Sequence, residues 1–479
     1  MTEPTAMTGV DEPTGDRPGG TGRLIFDITR IASWCGPPVG IVRTVHEFAR
    51  YARDNRPDIV PAFYDPSFGF RTLDPGWARR MIELDCTIDP LHSFRRELSP
   101  VRRWLSRYPA VMALESIRLT TNSAAVSRAA DLLQRALFMN RHVPPFVDAR
   151  GRRSKVVPTG FAFGPVLSLG PQDVLISAGD GWLQKGIGEI AEHKRRLGFR
   201  LVVQCYDLIP LTHSDFFFSH DVDKFRAYWT MMFGLANRVI FNSRCIEADA
   251  RQFCQKMGIR IGNTAVVPLG YDAPHVDDDA PACLPAELEP DRYAVFVSTV
   301  EPRKGHGLLL RVWRRLLADG VPQRHRFNLV FVGRRGWKVD PLLREIDATV
   351  GPETFLRHYA DMSDQDLSSL YRHAAFCLYP SVYEGFGLPI IEAYSHGKAV
   401  LASRGGALPE TVGGLSPCLD PHDEAAWYVS LRQWIEDPAR RQPFEERIRA
   451  SFSPAPWHEV AERFFAVASA APHREPNPS

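Results

Sequence analysis

Short apolar runs recur along the chain and alternate with longer amphipathic stretches. The runs are rich in Val, Ile and Phe and contain few polar residues, which is typical of strands buried on both faces of a parallel sheet. The amphipathic stretches predict helices that cover such a sheet. One set of runs lies at 23–28, 173–177, 199–207, 238–242 and 264–268, and a second set at 293–299, 327–333, 374–380 and 398–403. Because the pattern occurs twice, the sequence predicts two doubly wound α/β domains.

The two sets of runs are separated by the stretch 272–291, which contains four prolines and seven acidic residues and has no strand pattern. This composition is typical of a linker between domains. We therefore predict an N-terminal domain at 23–272, a linker at 273–289 and a C-terminal domain at 290–455. Residues 456–470 are predicted to form a last helix that could pack on either domain. Residues 1–22 and 471–479 are predicted to be disordered tails.

The segment 92–155 interrupts the alternation of strands and helices. It contains 13 Lys and Arg residues against 4 Asp and Glu residues. Its pattern is mostly helical, so we predict a basic helical insertion in the N-terminal domain. Two interpretations stay open. The insertion is either a solvated helical excursion with many surface arginines, or a basic platform for an anionic membrane surface or an anionic acceptor.

The composition of the 479 residues narrows the function classes. A net charge of +2 is not that of a nucleic-acid-binding polycation, and no apolar run is long enough to predict a transmembrane helix. The N-terminus lacks the basic start and apolar core of a secretory signal. The eight cysteines are scattered without a metal-binding spacing. We expect a protein of the reducing cytoplasm, and the basic insertion suggests peripheral contact with the inner face of a membrane.

Residues 380–403 read PSVYEGFGLPIIEAYSHGKAVLAS and place two glutamates around a glycine turn. The run before them predicts a strand, and a helix is predicted from about Leu388 to His396. Glu384 then lies in the loop at the carboxyl end of the strand, and Glu392 lies about one turn into the helix. Glycine lets a ligand approach the backbone, and the free N–H groups of a helix start favour an anion.

This arrangement predicts that a phosphate binds the backbone while two free carboxylates accept hydrogen bonds from hydroxyl groups. A phosphate together with several hydroxyl groups describes a nucleotide sugar. Arg303 and Lys304 lie in a second loop, again between a strand and a helix. Two adjacent cations there can neutralise a diphosphate. The alternatives are an acidic first helical turn and a solvated basic pair. His306 lies in the first turn of the following helix, where it could cap the helix or contact a phosphate, with a surface position as the expected alternative.

The blocks VSTVEPRKGH, FVGRRGW, LYPSVYEGFGLPIIEAYSHGKAVLAS and GGALPETVGG resemble, in order and spacing, the C-terminal half of retaining family 4 glycosyltransferases of the GT-B fold. The bacterial polysaccharide or O-antigen mannosyltransferases are the type that they resemble. FDITR…GPPVGIVRTVHEFARYA and VQCYDLIPLTHSDFF are similar to two segments of the family's N-terminal half. The resemblance covers roughly 23–60 and 170–470, and it implies two Rossmann-like domains that face each other across a cleft.

The resemblance implies that the C-terminal domain binds the nucleotide sugar. Arg303 and Lys304 would hold the diphosphate and stabilise the departing charge. Glu384 would contact hydroxyls of the transferred sugar, and Glu392 would bind the ribose. The remaining contacts to the phosphates would come from the backbone of Gly385, Phe386, Gly387 and Leu388.

The resemblance also assigns residues outside these loops. Gly333 would approach the base, and Gly40 would face the diphosphate from the N-terminal domain. Tyr206 stands where the family often has a histidine, and a tyrosine still donates a hydrogen bond. Asp207 would orient the acceptor or accept its proton, with a purely structural turn aspartate as the alternative. Retaining transfer in this family needs no stable covalent intermediate, because a leaving phosphate oxygen takes the proton of the attacking hydroxyl.

The expected donor is therefore a nucleotide diphosphate sugar, with a hexose or deoxyhexose such as mannose, and the expected acceptor is a growing glycan that could be lipid-linked. No metal or other cofactor is expected. The DxD at Asp221–Asp223 is expected to open a helix near Ser219 rather than to bind metal. Two other function classes stay open: a nucleotide-sugar epimerase or phosphorylase on the same fold, and a non-catalytic glycan- or nucleotide-binding partner in an assembly.

Overall fold

The structure is a computed structural model that describes residues 22–34, 38–65, 69–84, 86–87, 163–183, 188–272 and 284–471. It also describes the strands Pro145–Val147 and Arg153–Val156 and the helical positions 125, 126, 129 and 133. The two predicted tails lie outside the described residues, apart from residues 22 and 471. Most of the basic insertion and most of the predicted linker also lie outside them.

An eight-stranded sheet forms the N-terminal domain. Its first six strands are parallel neighbours and its last two join antiparallel. The five runs predicted as strands all lie in this sheet. In spatial order the strands are Asn263–Val266, Arg238–Phe241, Arg200–Cys205, Val174–Ser177, Leu24–Asp27, Ile59–Asp65, Gly69–Leu73 and Phe163–Val166.

A six-stranded parallel sheet forms the C-terminal domain and contains all four runs of the second predicted set. The doubly wound α/β prediction is confirmed for both domains. In spatial order the strands are Leu356–Tyr359, Asn328–Val332, Tyr293–Val297, Phe376–Tyr379, Val400–Ser403 and Cys418–Leu419.

Helices connect the strands of both sheets. The helix predicted from about Leu388 is observed at Leu388–Ser395, and the helix predicted near Ser219 begins at that residue. In the N-terminal domain the helices are Thr29–Ala32, Ile41–Asn55, Pro75–Ile82, Glu189–Leu197, Ile209–Thr212, Ser219–Leu235 and Arg244–Met257. After residue 284 they are His306–Ala318, Val321–His325, Asp340–Thr349, Asp364–His373, Leu388–Ser395, Leu408–Val412, Glu424–Glu436, Gln442–Ser451 and Trp457–Ser469. Short 3-10 turns occur at Gly181–Leu183, Ser214–Phe216, Pro302–Lys304 and Pro438–Arg440.

The strands of the N-terminal sheet place successive side chains in two different cores, as their period of two requires. Phe26 and Ile176 join the core on one face, and Ile25 and Leu175 join the core on the other. Burial on both faces explains why these runs are continuously apolar rather than alternating.

The last helix, Trp457–Ser469, packs on the N-terminal domain although it follows the C-terminal one. Phe464 stacks on Phe48 with ring centroids 4.3 Å apart, and Phe465 contacts Phe26 edge-on at 5.2 Å. The chain therefore crosses back to the first domain at its end. This contact decides between the two positions that the sequence left open.

A separate three-stranded sheet joins Cys86–Thr87, Arg153–Val156 and Pro145–Val147. One of its strands lies within the segment 92–155 and another begins in it, although the sequence predicts mostly helix there. The strand content is therefore a difference from that prediction. The strand Arg153–Val156 opens with the polar residues RSK and has no apolar run, so its sequence carries no strand signal.

Candidate active site

Glu384 forms a buried ion cluster with the two cations of the turn Pro302–Lys304. Its Oε1 lies 2.6 Å from Nζ of Lys304, and its Oε2 lies 2.9 Å from Nη1 of Arg303. Nη1 of Arg303 also donates to the main-chain oxygen of Tyr383 at 2.9 Å, and its Nη2 lies 3.2 Å from Oε2 of Glu301. The structure thus brings together side chains from two loops that are about 80 residues apart in sequence.

The fold explains why the two loops meet. They follow the strands Tyr293–Val297 and Phe376–Tyr379, which are parallel neighbours, so both loops leave the same edge of the sheet. The turn ends at Gly305, where φ is +90° and a Cβ would lie 2.6 Å from the main-chain oxygen of Pro380. Val382 N–H donates to the main-chain oxygen of Arg303 at 2.7 Å. Glycine is therefore required for this close approach.

The cluster favours the charged forms of Glu384 and Arg303. Burial alone would raise the pKa of Glu384, but Arg303 and Lys304 outweigh burial and lower this pKa to about 2. Burial opposes the charge of Arg303, yet Glu384, Glu301 and Asp207 together raise the pKa of its guanidinium above the ordinary value. Burial raises the pKa of Glu301, against the two cations. Glu384 is accordingly an ionised acceptor of hydrogen bonds across the usual pH range.

Both carboxylates have partners within the protein, although the sequence led us to expect them free for hydroxyl groups. Both oxygens of Glu384 are held by cations, and Glu392 accepts from the hydroxyl of Tyr371 at 3.0 Å. A buried carboxylate needs a partner of opposite charge or a hydrogen-bond donor. For Glu384 the partners come from the loop that was expected to bind a diphosphate. Lys304 keeps capacity for a ligand, because its ammonium has three N–H donors and Glu384 uses one.

Glu392 also contacts the N-terminal domain across the cleft. Nη1 of Arg43, on the helix Ile41–Asn55, lies 3.4 Å from Oε1 of Glu392. Burial raises the pKa of Glu392, while Arg43 and the hydrogen bond from Tyr371 oppose the rise. No sequence pattern pairs these two residues, which are 349 positions apart.

The glycine loop before the helix Leu388–Ser395 contacts both domains. Gly387 has φ +110°, a left-handed conformation that favours glycine, and it is the N-cap of this helix. A Cβ on Gly385 would lie 2.2 Å from the main-chain oxygen of Tyr206. The main-chain oxygen of Phe386 accepts a hydrogen bond from the hydroxyl of Thr411. The backbone of this loop therefore packs directly against the N-terminal domain.

Tyr206 and Asp207 lie where the N-terminal domain meets that loop. Tyr206 is buried and donates its hydroxyl proton to the main-chain oxygen of Ala178 at 2.7 Å, so this donor is engaged within the domain. Asp207 accepts from the N–H of Ile209 at 3.1 Å. Burial raises the pKa of Asp207, and the charge of Arg303 opposes this.

Gly40 and Gly333 have different structural reasons to be glycine. Gly40 is exposed and has φ +54° at the start of the helix Ile41–Asn55, with nothing within 4 Å of a hypothetical Cβ. At Gly333 a Cβ would lie 1.9 Å from the main-chain oxygen of Ser298. Gly333 therefore allows two loops of the C-terminal domain to touch. Glycine is favoured at Gly40 by the backbone conformation, and it is required at Gly333 by the close packing of the two loops.

His306 is buried rather than on the surface. It packs against the rings of Phe296 and Phe331, and neither ring nitrogen has a hydrogen-bond partner in the described part of the chain. Burial lowers its pKa to about 3. The first turn of this helix faces the sheet, which sequence position alone did not show.

Several residues that join the domains were missed by the sequence reasoning. The hydroxyl of Tyr383 donates to Oδ2 of Asp249 at 2.5 Å and lies 3.4 Å from Sγ of Cys245. Ser243 donates to the main-chain oxygen of Gly385 at 3.0 Å. The position of Tyr383 directly before Glu384 was the one sequence signal that placed it near the site. No sequence pattern indicated that it contacts Asp249 and Cys245.

Glu410 makes a second connection to the same helix of the N-terminal domain. Its two carboxylate oxygens accept from the N–H groups of Arg244 and Cys245 at 2.9 and 2.7 Å. These groups are at the N-terminus of the helix Arg244–Met257, where an anion is favoured. A residue of one domain thus caps a helix of the other.

A cavity of about 840 Å³ opens beside the ion cluster on the N-terminal side of the cleft. Asp207 and Arg303 lie in its wall, together with several aromatic side chains.

Within the described residues, no three His, Cys, Asp or Glu side chains are grouped so that they could hold a metal ion. No described helix is long and apolar enough to cross a membrane.

Comparison with known proteins agrees with this architecture. Residues 285–451 match the family described as glycosyl transferases group 1. Anabaena HepE, solved in complex with UDP and glucose, has the same fold, with a TM-score of 0.56 and 16% identity over 94% of this chain and 100% of that chain. The chain therefore has the GT-B fold. Its residues 285–451 are similar to the group 1 glycosyl transferases, which confirms the resemblance to family 4 glycosyltransferases.

Curated relatives match part of the chain. The O-antigen chain mannosyltransferase B of Escherichia coli is 34% identical over 178 residues, which are 36% of this chain and 46% of that protein. A D-inositol 3-phosphate glycosyltransferase of Nocardiopsis dassonvillei is 32% identical over 220 residues, which are 43% of this chain and 49% of that protein. The chain thus spans about half the length of these relatives.

Proposed function

We propose that the chain is a retaining glycosyltransferase that moves a hexose or deoxyhexose, with mannose as the first candidate, from a nucleotide diphosphate sugar to a growing glycan. The observation that carries the proposal is the cluster of Glu384, Arg303 and Lys304 beside a helix start, at the carboxyl ends of the C-terminal strands. The names of the mannosyltransferase relatives favour the choice of sugar.

In this proposal the diphosphate binds next to Lys304 and Arg303, and the backbone N–H groups of the helix start complete the anion site. The ionised Glu384 holds these cations and accepts a hydrogen bond from a hydroxyl of the transferred sugar. Glu392 binds the ribose. These charges are in place before the reaction, so they stabilise the developing phosphate charge without rearranging.

The transfer breaks the bond between the anomeric carbon and the phosphate oxygen and forms a bond to the acceptor oxygen on the same face. The proton of the acceptor hydroxyl passes to the departing phosphate oxygen, so no protein nucleophile is consumed. Asp207 lies in the wall of the adjoining cavity and would orient that hydroxyl.

The test is to supply nucleotide sugars with and without a saccharide acceptor and to follow release of the nucleotide diphosphate. Proton NMR of the product then gives its anomeric configuration. We expect acceptor-dependent release and the same anomeric configuration in donor and product. Interconversion of the donor without an acceptor would identify an epimerase, dependence on inorganic phosphate a phosphorylase, and binding without turnover a non-catalytic partner.

A further inference from the structure

Arg43 and Glu392 form an ion pair across the cleft that is longer than the pairs of the ion cluster. Nη1 of Arg43 lies 3.4 Å from Oε1 of Glu392, whereas charge-assisted hydrogen bonds are usually about 2.7–2.9 Å long. The hydroxyl of Tyr371 holds the other oxygen of Glu392. The side chain of Glu392 is 12% exposed and that of Arg43 is 29% exposed. The pair therefore joins a fixed carboxylate to a more accessible guanidinium.

The guanidinium of Arg43 has N–H donors that this pair does not use. An arginine presents five N–H donors in a planar fork, and Nη1 makes the contact with Glu392. In the strongest geometry a carboxylate binds two nitrogens of an arginine side by side. The single long contact therefore holds the guanidinium weakly, and an anion of higher charge competes for it.

The backbone beside Arg43 also suits an anion. Arg43 lies in the first turn of the helix Ile41–Asn55, which has no acidic residue in that turn and no side-chain cap from the described part of the chain. The N-terminus of a helix favours negative charge. At Gly40, directly before the helix, no atom of the described residues lies within 4 Å of a hypothetical Cβ. The open space in front of this helix therefore adjoins a cation that already reaches the C-terminal domain.

The proposed donor brings its diphosphate close to this space. In the proposed function the ribose lies at Glu392 and the diphosphate at Lys304 and Arg303. A single methylene carbon joins a ribose ring to the first phosphate of its nucleotide, so a cation at the ribose carboxylate is within reach of that phosphate. The ribose hydroxyls need the oxygens of Glu392 as acceptors. A diphosphate carries more negative charge than one carboxylate, so it is the stronger partner for Arg43.

We propose that Arg43 is a further residue of the donor site and that it exchanges partners when the nucleotide binds. Without nucleotide it pairs with Glu392. With nucleotide, the ribose hydroxyls donate to Oε1 of Glu392 and the guanidinium of Arg43 moves to the diphosphate. Arg43 thus connects the two domains in both states, through the carboxylate in the free chain and through the ligand in the complex. The inference rests on the proposed glycosyl transfer and adds a contact from the N-terminal domain to its donor.

The experiment measures the binding of nucleoside diphosphates, and of the matching nucleosides, to the full chain by isothermal titration calorimetry. The probes are GDP, UDP, ADP and dTDP with guanosine, uridine, adenosine and thymidine. For the diphosphate that the wild type binds, Arg43→Met is expected to raise the dissociation constant by about tenfold or more, because a charge-assisted hydrogen bond is lost. The dissociation constant of the matching nucleoside should stay within about twofold or fall, because no cation then competes with the ribose for Glu392.

Arg50→Met is the matched control on the same helix. The half-exposed Arg50 pairs with Glu47, so its loss should leave both dissociation constants at the wild-type values. Arg43→Lys keeps the charge without the planar fork. It should weaken binding of the diphosphate selectively, by a smaller factor than Arg43→Met, and it replaces that variant if the methionine prevents folding.

Equal weakening of diphosphate and nucleoside binding overturns the proposal, because Arg43 then only orients Glu392. Diphosphate binding that is unchanged by the loss of Arg43 overturns it as well.

Release of nucleotide diphosphate from nucleotide sugars is measured separately on the same preparation. If the wild type consumes a donor but Arg43→Met binds the diphosphate as tightly, the exchange of partners is wrong and the proposed transfer stands. If Arg43→Met loses diphosphate binding selectively but no nucleotide sugar is consumed by the wild type, the exchange stands and the proposed transfer fails. A wild type that binds no nucleoside diphosphate contradicts both.

Discussion

The hydroxyl of Tyr383, in the loop of the C-terminal domain that carries Glu384, donates to Oδ2 of Asp249 in the N-terminal domain at 2.5 Å. The main-chain oxygen of the same tyrosine accepts from Arg303. One residue thus connects the ion cluster to the opposite domain. Contacts between domains of this kind set both the closure of the cleft and the position of the groups within it.

Loss of the Tyr383 hydroxyl should impair turnover. A hydrogen bond to a carboxylate contributes roughly 1.5–3 kcal/mol, so Tyr383→Phe is expected to lower kcat/KM by about tenfold or more. Asp249→Ala should have a similar effect, and the double variant should be little worse than either single one, because both remove one interaction. The control is Tyr359→Phe, which removes a tyrosine–carboxylate bond to Glu287. Additive losses would show that the two residues do not act through their contact.

Gly385 should tolerate no side chain. A Cβ there would lie 2.2 Å from the main-chain oxygen of Tyr206 and 3.0 Å from Cβ of Asp207, so Gly385→Ala must push the domains apart or displace the loop. We expect kcat/KM to fall by about 10²-fold, as misplacement by roughly 1 Å can cost that much. Gly188→Ala is the matched control, because nothing lies within 4 Å of its Cβ. Normal activity of Gly385→Ala would contradict the observed domain contact.

The ionisation of Glu384 should make stability depend on pH in a defined window. Its pKa is about 2 in the folded chain against an ordinary value of 4.5. Because the folded value is lower, the ionised group stabilises the fold above about pH 4.5, and this stabilisation is lost as the pH falls towards about 2. The contribution is on the order of 3 kcal/mol.

Urea unfolding followed at several pH values between about 7 and 2.5 measures this effect. The difference in unfolding free energy between wild type and Glu384→Gln should be constant above pH 4.5 and shrink below it. Val429→Ser, which replaces an exposed side chain and changes no titratable group, should give no such window. A difference that stays constant down to pH 2.5 would show that Glu384 is not held by its cations.

Lys304 and Glu384 should affect binding and turnover differently. Lys304→Met is expected to weaken binding of the nucleotide diphosphate by about tenfold or more and to lower kcat, because it removes a cation at the diphosphate. Glu384→Gln should lower kcat far more than it weakens binding of the free nucleotide, since its proposed partner is the sugar. Arg311→Met, at an exposed ion pair, is the control for loss of charge. Equal effects of Lys304→Met and Glu384→Gln on nucleotide binding would refute the separate roles.

The sequence predicted the buried strands well because continuous apolar runs need the interior of a parallel sheet. Arg200–Cys205 and Phe376–Tyr379 lie within the predicted runs. The edge strand Leu356–Tyr359 was missed because three of its four residues are only partly buried and two are charged or polar. Edge strands keep one side in water, so their apolar signal is weak.

The candidate site was predictable only in its two loops. Glu384, Arg303 and Lys304 follow neighbouring strands, so the rule that ligands bind at the carboxyl ends of strands placed them together. Their mutual ion pairs depend on packing distances that no sequence pattern gives. The contacts of Arg43 with Glu392 and of Tyr383 with Asp249 arise from the approach of the two domains. Because these residues are far apart in sequence, no local pattern predicts that they meet.

Glycosyl transfer at the ion cluster is tested by the rate at which purified wild-type chain and Glu384→Gln release nucleotide diphosphate from a panel of GDP-, UDP-, ADP- and dTDP-sugars with a mannoside acceptor. We expect the wild type to consume one class of donor and Glu384→Gln to do so about 10²–10³ times more slowly, as expected for loss of a group that stabilises the transition state. No release from any donor, or equal rates for the two proteins, would contradict it.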